Sequence, residues 1–163
     1  MMNSSNLNMP YLHQCLQQEV IEMTLLAELL RLEELALIDG NVEKLSQLTQ
    51  DKSKLLSHIA KLEIERNAII QKQGFSADAN GMQDYFNASL PEVSAAHEWK
   101  KLLDLSEKAK ESNRTNGILI NRQFIRNQNA LNILQQNSPT ESLYSANGQS
   151  TTTSISGRRV VVG

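Results

Sequence analysis

The chain has 163 residues, of which 40% are hydrophobic and 21% charged, and its formal net charge is −2. That length holds one ordinary domain rather than two separate cores, and seven aromatics among abundant Leu, Ala, Glu, Gln and Lys favour long helices over sandwiches or barrels. A lone cysteine, Cys15, excludes an intramolecular disulfide and suits a reducing compartment.

The opening MMNSSNLNMPY has neither the basic nor the apolar part of a secretory signal. No apolar run reaches the roughly 18 residues of a membrane span. The expected location is therefore the cytosol, with residues 1–9 as a flexible N-terminus and no membrane insertion.

The first predicted helix runs from about Pro10 to Ile38, with Asn8 as its cap and Pro10 in the first turn, where a missing N–H costs nothing. Leu16, Met23, Leu30 and Leu37 recur at sevens with Leu12 and Leu26 between them, which is a coiled-coil-like seam. Leu25, Leu29 and Leu32 broaden it, and Glu19, Glu22, Glu28 and Glu34 mark the wetter sides. Gly40, in a left-handed conformation, ends this helix and Asn41 caps the next. So short a connection turns the second helix back antiparallel to the first.

From Val42 to about Gln73 the period resumes: Leu48, Leu55, Leu62 and Ile69 at sevens, Leu45 and Ile59 between. Lys52 and Arg66 share that interleaved register. Each is expected to lay its stem along the seam and offer its charge to solvent or to a carboxylate of the first helix, because a buried cation needs a partner. Gly74 ends the second helix. The heptad lapses over 75–93, where a short helix from Met82 to Asn87 sets Tyr85 and Phe86 over the end of the hairpin.

A third long helix covers about 94–136, starting near Pro91 to Ser94. Its apolar face is thin: Trp99, Leu102, Leu103, Leu105, Ala109, Ile118, Ile120, Phe124, Leu131 and Leu134, with Asn113, Asn116 and Asn127 on or beside it. Such a helix is weakly self-sufficient and is completed by a partner. Residues 138–163 are mostly Ser, Thr, Asn and Gly and are read as a disordered tail with two apolar islands, Leu143–Tyr144 and Val160–Val162. The fold class is thus all-α: an antiparallel long-helix hairpin plus a third long helix, a coiled-coil-like three-helix bundle domain over 10–137. Residues 10–39 carry a net charge of −5, residues 41–73 of +2 and residues 98–137 of +3, a polarity that selects the packing arrangement more than it stabilises it.

Chemistry is sparse. There is no Gly-rich phosphate loop, nucleophile elbow or paired Cys/His spacing, so no cofactor and no catalytic residue is expected. His13, His58 and His97 are far apart, which argues against a metal site. HIAKLE (58–63) faintly resembles a His-phosphotransfer site, but Leu62 stands where a small Gly is expected. Arg114, Arg122 and Arg126 lie near one side of the third helix without a stacking platform, which argues against nucleic acid. Cys15, beside the seam, packs as a small hydrophobe.

In order and spacing, these segments resemble the FlgN-type flagellar export chaperones over roughly residues 12–149. The carriers are LALIDGN (35–41), KLSQLTQDKSKLL (44–56) with Lys52, and LEIERNAII (62–70) with Arg66. NRTNGILINRQF (113–124) and LYSANGQ (143–149) weigh most. The resemblance implies a cytosolic, non-enzymatic chaperone that binds the C-terminal helical region of the hook-associated proteins at the hook–filament junction, prevents their premature assembly, and delivers them to the flagellar type III export gate or its ATPase complex. Cargo capture is then assigned to Asn116, Ile118, Ile120, Phe124, Asn127, Leu131 and Leu134, and gate docking to Leu143 and Tyr144. Two other classes stay open: a coiled-coil scaffold or secretion-apparatus component, and a His-phosphotransfer bundle using His58.

Overall fold

The computed structural model describes residues 5–88 and 93–137, with side chains in the first helix from Tyr11 onward. Among these residues there are four helices and no strand: α1 (Ser5–Asp39), α2 (Val42–Gln71), α3 (Ala79–Ala88) and α4 (Val93–Gln136). α1 begins ahead of Pro10, and Asn8 lies inside it rather than capping it. Pro10 falls so near the start that its missing N–H forfeits a single helical bond and does not stop the helix.

α1 and α2 end alike. Gly40 and Gly74 take φ of +66° and +91°. The next N–H, of Asn41 or Phe75, reaches back to Ala36 O at 2.9 Å or Ile70 O at 3.2 Å, the closure a left-handed glycine permits. Asn41 then caps α2, its side chain accepting from the Lys44 N–H at 3.0 Å.

The hairpin seam holds polar pairs as well as leucines. Arg66 Nη1 donates to Glu19 Oε2 at 3.0 Å, and Lys52 Nζ to Glu33 Oε1 at 2.6 Å. These two ion pairs fix the register: Leu16, Met23, Leu30 and Leu37 fall level with Ile69, Leu62, Leu55 and Leu48 in turn. Both cations therefore find helix 1 carboxylates rather than solvent. The expectation for the acids themselves needs correction, since Glu19 and Glu22 do not mark a wet side but are buried, as is Glu33. Glu19 and Glu33 occupy the same interleaved heptad register as Leu12 and Leu26, so the helix geometry carries them into the seam. Glu22 is held by Gln18 Nε2 at 2.9 Å and faces His58 Nδ1 at 3.1 Å. Leu25, expected to widen the seam, is exposed, whereas Leu29 and Leu32 are half-buried.

Around this hairpin one apolar cluster joins Leu12, Leu16, Val20, Met23, Leu26 and Leu30 of α1 to residues of the other three helices. α3 contributes Met82, Tyr85 and Phe86, with Tyr85 edge-on to both Phe75 and Phe86 at centroid distances of 5.5 and 5.3 Å. Asp78 starts α3 by accepting from the Gly81 N–H at 2.7 Å and from Ser76 Oγ at 2.8 Å, which holds its carboxyl below the usual range. α4 contributes Ala95, Trp99, Leu102 and Ala109. The chain divides after Ile120 into two compact units; of the second, residues 121–137 are described.

Candidate protein-binding surface

α4 has a seam that its thin apolar content concealed. Ala95, Leu102, Ala109 and Asn116 recur at sevens and are all buried, and Glu98, Leu105, Ser112 and Leu119, also at sevens, are half-buried beside them. Two of these eight are Ala and three are polar, so hydropathy alone shows little; the spacing was the available signal.

Asn116 ends the buried part of the seam. Its Nδ2 donates to Leu30 O at 2.9 Å and to Glu33 Oε2 at 2.8 Å, while Glu33 Oε1 receives Lys52. One carboxylate thus ties α1, α2 and α4 together in a buried polar layer. Asn116 was expected on the cargo surface; at 2% exposure it is instead an anchor of the bundle, its amide donating to both acceptors.

Beyond it α4 carries exposed apolar residues. Ile120, Phe124, Asn127, Leu131 and Leu134 step by four, three, four and three, which keeps them on one stripe of the helix. The four apolar members are between 50% and 68% exposed. Ile118 does not share this stripe: with Ile125 and Ile133 it lies elsewhere around the helix, also exposed. Asn113 is exposed off the seam. Leu143 and Tyr144, assigned to gate docking, lie outside the described residues.

Cys15 and His58 belong to the two hairpin helices. Cys15 is buried, and its thiol points at Leu62 O, 3.3 Å away. Burial pushes the thiol up to about 11, far from a reactive thiolate. His58 is half-exposed with Nδ1 against the Glu22 carboxylate, a neighbour that repels an incoming phosphoryl group. Among the described residues no group of three His, Cys, Asp or Glu is placed to hold a metal ion, and no helix is long and apolar enough to cross a membrane.

The family described as FlgN protein matches residues 2–152, nearly the whole chain. The chain belongs to the FlgN family. A similar relative, the flagella synthesis protein FlgN of Proteus mirabilis, is 30% identical over 157 residues, spanning 94% of this chain and 99% of that protein. No solved structure gives a significant match. FlgN-family proteins are flagellar export chaperones, a non-enzymatic kind of protein, and an exposed apolar stripe suits that work.

Proposed function

We propose that this FlgN-family chain works in the cytosol, capturing the C-terminal helical region of hook-associated junction proteins and handing them to the flagellar export gate. The observation that carries the reading is the exposed apolar stripe of α4, which no described residue buries. A seam face is shaped to receive another helix, and an amphipathic cargo helix lying along Ile120, Phe124, Leu131 and Leu134 buries what water now covers. Asn127, polar in the middle of that stripe, marks one register of the incoming helix over its slips. Masking the cargo segment is what keeps it from assembling early. Leu143 and Tyr144, an apolar pair in a polar segment, serve as the short motif for the gate.

Calorimetric titration of the full-length chain with the C-terminal helical segments of the junction proteins tests the capture step. Phe124→Ala with Leu131→Ala removes two apolar anchors at about 1.5–3 kcal/mol each and lowers affinity by at least tenfold. Ile118→Ala, off the stripe, leaves affinity unchanged. Equal losses in the two variants, with unchanged circular dichroism, count against a stripe-borne site.

A further inference from the structure

Besides the seam that packs the hairpin, α1 carries a second heptad on its other side. Tyr11, Gln18, Leu25 and Leu32 recur at sevens, and Gln14, Ile21, Glu28 and Leu35 recur at sevens between them, so the positions step by three and four without a slip from Tyr11 to Leu35. At about 100° per residue this strip lies roughly 160° around the helix from the inner seam. Tyr11, Ile21, Leu25 and Leu35 are between 46% and 65% exposed, Gln14 and Glu28 are exposed too, and Gln18 and Leu32 are half-buried. None of them belongs to the apolar core cluster, so packing within the described chain does not account for an unbroken outer repeat.

The order of polar and apolar positions along the strip selects what fits on it. Turned end for end about the level of residue 23, a second copy of α1 sets Tyr11 against Leu35, Ile21 against Leu25 and Gln18 against Glu28, with Gln14 meeting Leu32 in the remaining layer. The polar pair is complementary, because the Gln18 amide can donate to the Glu28 carboxylate, which accepts more than the one exposed bond it has with Arg31. On the flank, Arg31 comes beside the exposed Gln17 of the other copy rather than beside a cation. Sliding the copy by one heptad sets Glu28 against Tyr11 or against Leu25 instead, and a parallel pairing in register sets Glu28 against its own like charge.

We infer that the outer face of α1 is an interface with a second copy of this chain, the two α1 helices lying antiparallel with Gln18 of each copy against Glu28 of the other. The strip is about 36 Å long and about 11 Å wide, on the order of 400 Å² on each side. That is small for a permanent complex, so the dimer forms and parts with concentration. None of its residues belongs to the α4 stripe, and it stands or falls independently of cargo capture.

Sedimentation equilibrium of the full-length chain tests this, with the average mass expected to rise from the monomer toward the dimer value between about 1 and 200 µM. Ile21→Gln with Leu25→Gln, both exposed in the single chain, is expected to weaken association by at least about tenfold without altering the helical circular dichroism. Two changes at Gln18 report the orientation. Against Glu28 of an antiparallel copy, Gln18→Lys tightens association by about threefold and Gln18→Glu weakens it by about as much, and both effects shrink as salt rises. In a parallel dimer each new charge meets itself and both variants weaken association, a result that overturns the antiparallel register. A dimer that the double glutamine variant leaves unweakened overturns the face. A chain that stays monomeric to about 200 µM overturns the second copy as its occupant and leaves the face to a helix of another protein.

Discussion

Arg66 is the most heavily committed side chain of the hairpin. It reaches Glu19 at 3.0 Å, lies 3.8 Å from Glu63, and stacks its guanidinium 5.0 Å above the ring of Trp99, so one residue of α2 holds both α1 and α4. Lysine offers neither the planar stack nor the fork, which is why arginine suits this position. Burial pushes the Glu19 carboxyl up to about 7 from 4.5, against the pull of Arg66 and with help from the nearby Glu63. The folded chain therefore holds the Glu19 proton more tightly than the unfolded one does. The stability this contributes is fully present below about pH 4.5 and is lost as pH rises through 7. Urea melts of the parent and Glu19→Gln across pH 4.5 to 8 are expected to show the parent losing stability relative to the variant over that window. A difference constant with pH, or one that grows, rejects the assignment. Cys15, titrating near 11, adds nothing in this range.

At the scale of elements, two glycines inside helices behave oppositely. Gly81 in the first turn of α3 has no room: a Cβ there would stand 1.8 Å from the Ser76 carbonyl oxygen, a backbone atom that cannot step aside without breaking the Asp78 cap. Gly117 in α4 has nothing within 4 Å of the place a Cβ would take. It follows Asn116, at the point where burial of the seam ends, and packing does not call for it. Gly117→Ala is thus expected to stabilise the chain by about 0.5–1 kcal/mol, the ordinary gain from alanine in a helix interior. Gly81→Ala destabilises it by about 1–3 kcal/mol through overpacking. Chemical denaturation of the two variants decides this, and a loss from Gly117→Ala means that the position needs the freedom only glycine gives.

For the whole molecule, burial is concentrated in one part of the described chain, and the residues proposed for docking lie mostly in the other. The core, the ion pairs and the Asn116–Glu33–Lys52 layer all fall within residues up to Ile120, while every described residue after it is exposed except the half-buried Gln123. On the proposed reading, capture and delivery are separable functions. Tyr144→Ala is expected to leave titration with junction-protein segments unchanged and to abolish co-purification of export-gate components. Parallel loss of both activities would mean that capture and docking share one surface.

Much of the architecture is legible one residue at a time. The heptads of α1 and α2, the turn at Gly40 and Asn41, the stop at Gly74 and the short helix bearing Tyr85 and Phe86 follow from spacing and from the left-handed freedom of glycine, properties local to a few residues. The need of Lys52 and Arg66 for carboxylates was legible too, but not which ones, and Glu19 read as a surface residue because a charge on an isolated helix prefers water. Tertiary packing decided otherwise: once antiparallel register sets Glu19 level with Arg66 and Glu33 level with Lys52, each charge is compensated and can be buried. The same holds along α4. Its sequence shows a face of apolar residues and amides from Trp99 to Leu134, and only the presence or absence of a neighbour makes Asn116 an anchor and Phe124 an open contact. Spacing assigns a residue to a face; what lies opposite that face assigns it a role.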